Sequence, residues 1–257
     1  MHIERCFTKS GDSRRAPFEA PILVAHQPEF LPWLGFISKA TMGDVYLILD
    51  SVDFQKEYYQ NRNKIRIKNT PGWQWLVIPV IRAKSHPMKT CEVMMSSSNW
   101  RQRHLRAIRY AYSRTPYFEE VYSDLERIYK YEGDSLVDFL VLLIKYAFER
   151  FGIGVPIFCT SKMIAEGYSI EGQKTDLVLS MCHAVGAKTF VAGKFGMTYL
   201  EKERFKTNNI TLVFQSFSHP SYPQIQGAFK PNMAFIDILF NCGPKSVEIL
   251  GKSDWEQ

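Results

Sequence analysis

The sequence predicts an α/β fold on a mostly parallel, Rossmann-like sheet that carries a basic hairpin and a helical insertion. Three observations lead there. Short apolar runs at about 22–26, 45–49, 156–160, 189–193 and 211–216 are bounded by Gly, Pro and polar residues, as strands buried on both faces are. Helix-period segments lie between most of them. The stretch from about 95 to 155 reads as consecutive helices, which an α/β alternation accommodates as an insertion.

Residues 1–20 are polar, contain Gly11 and Pro17, and lack periodicity, which predicts a flexible leader before a single domain over 21–257. The first strand starts at Ile22 and runs into His26-Gln27-Pro28. Trp33 to Met42 reads as a helix closed by Gly43, and Val45 to Leu49 as the second strand, ending at Asp50. Together they make a βαβ unit. Lys56 to Lys68 is basic, with Ile65 and Ile67 alternating, and Trp73 to Val80 is strand-like. Asn69-Thr70-Pro71-Gly72 supplies the turn of a hairpin between them. In the insertion, Asn99 caps a helix from Trp100 to about Ser113. Phe118, Val121, Tyr122, Leu125, Ile128 and Tyr129 form the stripe of a second helix. Asp134 caps a third, running to Phe151 and closed by Gly152. Alternation then resumes: a strand at 156–160, a helix from Thr175 to Ala184 stopped at Gly186, strands at 189–192 and 211–217, and a helix from Pro231 to Phe240 with Gly243 beyond it.

The chain has 257 residues, 46% hydrophobic and 23% charged, enough for a sizeable core and too apolar for a disordered chain. Its most apolar segment, Leu136 to Ile144, is far short of a bilayer span and contains Asp138. The polar N-terminus offers no secretory core, so a cytoplasmic location is expected. Cys6, Cys91, Cys159, Cys182 and Cys242 are scattered and odd in number, which speaks against a disulfide framework or a structural zinc site. Charge is concentrated. Residues 56–114 hold 13 Lys and Arg against Glu57 and Glu92, a local net charge of +11 in a chain of +6. Such an excess fits an anionic partner or a merely solvated basic face.

Four constellations could carry chemistry. His26-Gln27 sits where the first strand gives way to the first helix, the place where open parallel sheets bind ligands. Trp33 and Lys39 of that helix join it as binding candidates, and His26 is the candidate general base because histidine ordinarily titrates near neutrality. The stretch after the second strand offers Asp53 as a second catalytic candidate. It also offers Gln55, Lys56, Tyr59, Asn61, Arg62, Asn63 and Lys64 as binding residues, since Arg can clasp phosphate and Asn can orient a sugar. Alternatively, this is an exposed hairpin. The third is the loop Gly193-Lys194-Phe195-Gly196 with Tyr199, where glycine permits close backbone approach. The fourth is His219, Tyr222 and Gln224 in a proline-rich crossing, over a site or merely on the surface. No metal ligand set is expected; Asp50 and Asp53 could hold Mg²⁺ with a diphosphate, but two aspartates alone are weak evidence.

HQPEFLPWLGF, VDFQKEYYQNRNKIR, GKFGMTYL and HPSYPQIQGAFKPNMAFIDILFNCG resemble the WbqC-like protein family, over about residues 22–250. The resemblance implies a bacterial protein associated with gene clusters for surface polysaccharide such as O-antigen (lipopolysaccharide biosynthesis). The expected function is a transferase acting on a nucleotide-linked amino sugar, by acyl or aminoacyl transfer to an amino group. The expected partner is a nucleotide-sugar or another phosphate-bearing small molecule, with an activated acyl donor that the sequence does not identify. The alternatives are a nucleic-acid (tRNA) binding module, with Trp73, Trp75 and Trp100 stacking on bases, or a non-catalytic assembly scaffold.

Overall fold

A computed structural model describes residues 18–55, 57–81, 87–251 and 254–256. Among the described residues ten strands and nine α-helices follow in chain order: β1 (Ile22–His26), α1 (Leu34–Ala40), β2 (Val45–Ile48), β3 (Arg62–Arg66), β4 (Trp73–Val77), β5 (Val80–Ile81), β6 (Met94–Met95), α2 (Trp100–Tyr112), α3 (Phe118–Tyr129), α4 (Leu136–Arg150), β7 (Ile157–Cys159), α5 (Thr160–Ala165), α6 (Thr175–Ala184), β8 (Thr189–Ala192), α7 (Lys202–Thr207), β9 (Thr211–Ser216), α8 (Ile236–Cys242), α9 (Ser246–Leu250) and β10 (Asp254–Glu256). The main sheet has six strands in the order β10-β9-β8-β1-β2-β7. All pairs are parallel except β10 on β9. β3 pairs with β4, and β5 with β6, outside that sheet. The α/β expectation is met, including the hairpin, in which Arg66 faces Trp73 across the turn, and the helical insertion α2–α4.

The two-residue side-chain period sorts each central strand between two cores. Val24, Tyr46, Ile48 and Val191 join α1, the insertion helices and α8 on one face. Leu23, Val45, Leu47, Phe190 and Ala192 join α6 and Phe205 of α7 on the other. Helices on both faces leave the strands no polar side, which is why they read as continuous apolar runs.

Several boundaries differ from expectation. α4 is capped by Ser135, whose Oγ accepts from Asp138 N at 3.2 Å, so Asp134 is not the cap. α8 starts at Ile236, five residues after Pro231, because Pro231, Asn232 and Met233 are spent on a crossing in which Ala234 N donates to Lys64 O. The leader expectation falls mainly on residues 1–17, outside the described residues. At 18–20 the chain is already tethered: the Phe18 ring meets Trp255 at 5.4 Å, and Thr189 Oγ1 donates to Glu19 O. β10 and the short α5, α7 and α9 carry too little periodicity to be read from sequence.

Candidate functional site

Strand order fixes where a ligand can enter. From β1 the chain passes through α1 to β2 on one side, and from the neighbouring β8 through α7 to β9 on the other. The two connections diverge, so a crevice opens beyond the carboxyl ends of β1 and β8. A cavity of about 580 Å³ lies there. Ala25, His26, Gln27, Glu29 and Lys39 line it from the β1–α1 segment, and Gln55, Tyr58 and Gln60 from the segment after β2. Gly193, Phe195, Gly196, Thr198 and Tyr199 line it after β8.

The β1–α1 segment is rigid for local reasons. Asn63 is fully buried; its Nδ2 donates to Leu31 O at 2.7 Å and Phe30 O at 3.2 Å, pinning the loop to β3. Phe30 N in turn donates to Tyr59 O. The Trp33 ring lies across the Cα of Gly35, where a Cβ would come within 2.2 Å of it; only glycine admits that packing. In the segment after β2, Gln60 Oε1 accepts from Gln55 N at 2.7 Å while its Nε2 donates to Gln27 Oε1 at 3.0 Å. That leaves the Gln27 amide NH₂ as the end a ligand can use. Gly193 presents almost bare backbone: the one neighbour of a Cβ built there is Lys39 Nζ at 3.9 Å.

The floor of the cavity is electrostatically unusual. Lys39 and Glu29 are 3% and 4% exposed. Lys39 Nζ donates to Ala25 O at 3.0 Å. Burial pulls the Lys39 ammonium down to about 8, against the opposing pull of Glu29, and pushes the Glu29 carboxyl up to about 8, against the pull of Lys39. Burial, helped by the Lys39 charge, takes His26 down to about 3. That direction makes neutral imidazole the prevailing form of His26 at pH 7. Its Nδ1 lies 2.9 Å from Gln27 O, which can only accept, so Nδ1 carries the proton and Nε2 the lone pair. The His26 side chain keeps 29% of its surface open.

Of the sequence candidates, His26, Gln27, Lys39, Gln55, Gly193 and Tyr199 line this cavity. Lys194 is exposed beside it without lining it. Lys56 lies outside the described residues. Asn61 and Arg62 border a second cavity of about 410 Å³, walled by Val77, Ile78, Val80, Ile81 and Met88. Arg62 stacks on Trp75 at 4.5 Å and its Nη2 donates to Glu57 O. Asn61 and Arg62 thus border a different cavity from the one that His26 and Gly193 line.

The remaining candidates are held elsewhere. Asp53 makes an exposed ion pair with Lys89 at 2.7 Å and lines neither cavity. Asp50 accepts from Thr160 Oγ1, Ser161 N and Ser161 Oγ, which locks β2 to the start of α5. Among the described residues no group of three or more His, Cys, Asp and Glu could hold a metal. Trp33 packs edge-on against Phe217. Lys64 lies over Trp73 and Trp75, and the Tyr59 ring meets Tyr58 and Trp75. Asn63 is the loop anchor described above. His219 stacks with Tyr222 and Phe229, and Tyr222 and Gln224 both donate to the buried Asp237, so this trio folds the crossing and lines neither cavity. Trp100 is 1% exposed and packs on His104, Tyr129 and Phe139, so it cannot stack on a base.

Sequence reasoning passed over Glu29, Tyr58 and Gln60. Glu29 carried a signal. It stands between Pro28 and an apolar Phe30-Leu31 pair, and Lys39 is the one charged residue of the short helix α1, whose residues are all buried.

Among the described residues no helix is long and apolar enough to cross a membrane. No solved structure matches the chain significantly. The chain is 26% identical over 226 residues to Uncharacterized protein Rv1507c of Mycobacterium tuberculosis, covering 87% of this chain and 95% of that one. The profile of the WbqC-like protein family matches residues 27–249, from the glutamine just after β1 through most of α9, and the chain therefore belongs to that family.

Proposed function

We propose that the protein is a transferase acting on a nucleotide-linked amino sugar in surface-polysaccharide (O-antigen, lipopolysaccharide) biosynthesis, with acyl or aminoacyl transfer to an amino group as the reaction. The observation that carries this reading is the cavity at the divergence of β1 and β8, which offers a ligand bare backbone at Gly193, an ammonium at Lys39 and the His26 lone pair together. It is the position at which Rossmann-like proteins take nucleotides, with the diphosphate against the glycine-containing loop. Gln27 NH₂ would orient the sugar, and His26 Nε2 would accept a hydrogen bond from the acceptor group. The donor enters as an activated acyl compound: the neutral amine nitrogen bonds to the acyl carbon, the bond from that carbon to the leaving group breaks, and the nitrogen's proton departs with the leaving group.

RNA binding finds less support. Arg62 and Lys64 already lie over the faces of Trp75 and Trp73 where bases would stack. The test is calorimetric titration with a panel of nucleotides and nucleotide-sugars. One-to-one saturation, weakened at least tenfold in His26→Ala and only mildly salt-dependent, is expected. Absence of binding by every member, or a steep salt-dependent interaction with tRNA instead, refutes the reading.

A further inference from the structure

Two buried ionisable side chains line the floor of the cavity without being hydrogen-bonded or ion-paired to each other. Among the described residues Lys39 Nζ donates to Ala25 O alone, and Glu29 Oε2 is buried with no hydrogen-bond partner. Glu29 Oε1 is 3.9 Å from His26 Nδ1, beyond hydrogen-bond reach, and that nitrogen's proton is already directed at Gln27 O. Burying a carboxyl and an ammonium unpaired costs stability, and apolar side chains of similar volume would avoid the cost. The arrangement makes sense when a third party completes it.

We propose that Glu29 and Lys39 are the two halves of a receptor for a ligand that carries a primary amine beside a phosphate, the amine on Glu29 and a phosphate oxygen on Lys39. A 2-amino sugar 1-phosphate, free or nucleotide-linked, has those groups on neighbouring carbons. The inference deepens the nucleotide-sugar reading and rests on it for the sugar: it selects the free amine over its acylated form. The groups facing Glu29 are His26 on β1, Lys39 on α1, Tyr46 on β2 and Tyr59 before β3. At pH 7 His26 and both tyrosines are neutral, Lys39 is mostly ammonium, and Glu29 is mostly the carboxylic acid. The ligand amine is bound as ammonium, and it must give one proton back before its nitrogen can attack an acyl donor. Forming the carboxylate–ammonium pair breaks only the Glu29 O–H bond and releases that proton to solvent, close to one proton per ligand bound.

The experiment is isothermal titration of the full chain at pH 7 in two buffers of different ionisation enthalpy. The probes are UDP-glucosamine, UDP-N-acetylglucosamine and glucosamine 1-phosphate, each against wild type, Glu29→Gln and Lys39→Met. UDP-glucosamine is expected to bind about ten- to a hundredfold tighter than its N-acetyl counterpart, the range for a hydrogen bond to a charged group, and to release about one proton. Glu29→Gln should lose both the preference and the release; Lys39→Met should weaken every phosphate-bearing probe alike. Should Glu29→Gln fail to fold, the wild-type preference and proton count decide. Equal binding of the two nucleotide-sugars overturns the inference and leaves the nucleotide-sugar reading standing. Glucosamine 1-phosphate binding as tightly as UDP-glucosamine upholds it and removes the nucleotide. Binding by none of the probes overturns both, and a proton release that persists in Glu29→Gln overturns the role of Glu29.

Discussion

Tyr222 was a binding candidate by sequence and is a core residue by structure, so Tyr222→Phe separates the two readings. The variant deletes one oxygen and keeps the ring. That oxygen donates to Asp237 Oδ2 at 2.8 Å; Tyr112 donates to Oδ1 at 2.8 Å, and Gln224 Nε2 to Oδ2 at 2.7 Å. Asp237 is fully buried, and burial holds its carboxyl up at about 6 despite those three donors. A hydrogen bond to a buried charge contributes about 1.5–3 kcal/mol. In a chain of this size that corresponds to roughly 3–12 °C in Tm. The pH dependence carries a second signature. Because the folded pKa lies above the unfolded one, the Asp237 contribution is complete below about pH 4 and is lost as pH rises through about 6; two units at 1.36 kcal/mol each make this ~3 kcal/mol. Losing a donor disfavours the ionised form further, so the loss in the variant should extend to higher pH. Urea denaturation of both proteins at pH 4.5 and 8 measures this: the gap between them should widen at pH 8. An unchanged Tm together with abolished nucleotide-sugar binding would refute the structural role.

Three further expectations follow from the same geometry. Gly193→Ala should leave stability within about 0.5 kcal/mol, since its φ of −74° accepts a side chain and the nearest atom stands 3.9 Å off, yet weaken ligand binding by intruding on the cavity; a large fall in Tm speaks against an open Gly193. Asn63→Ala, which strips the Phe30 and Leu31 carbonyls of their donor, should cost about 2–4 kcal/mol on chemical denaturation, and a cost under 1 kcal/mol would show that the β1–α1 loop holds itself. The His26 imidazole should show no titration between pH 5 and 8 by NMR in the free protein; a midpoint near 6.5 would contradict its neutral state.

The sheet was legible because parallel strands covered on both faces must be apolar through their middle, and 22–25, 45–48 and 190–192 are. The helical stripe of α3 and the Pro-Gly turn of the hairpin were legible for equally local reasons. Part of the site was readable too, since a strand end is where ligands collect, and His26 and Gly193 stand at two neighbouring strand ends. What failed was long-range. Nothing local tells Asn61 from Gln60, yet Gln60 turns to the β1 cavity while Asn61 Nδ2 donates to Ile78 O. Asp53 was plausible as a catalytic residue and Asp50 as a cation ligand, and nothing local shows that Lys89 and Ser161, 36 and 111 residues away, bond to them. The tail's partner lies on another element: Tyr222 and Gln224 donate to a buried carboxyl on α8.

The central place of β1 has a consequence for synthesis on the ribosome. One edge of β1 is closed early by β2, but the other waits for β8, where Val24 pairs with Val191. At roughly 5–20 residues per second the β8 segment emerges some 8–33 seconds later. Throughout that interval the nascent chain displays an unpaired strand edge, and Leu23, Val45 and Leu47 have no α6 or α7 to cover them. Chains truncated before residue 189 keep that edge permanently and should be bound by chaperones or aggregate, however complete their α2–α4 layer is.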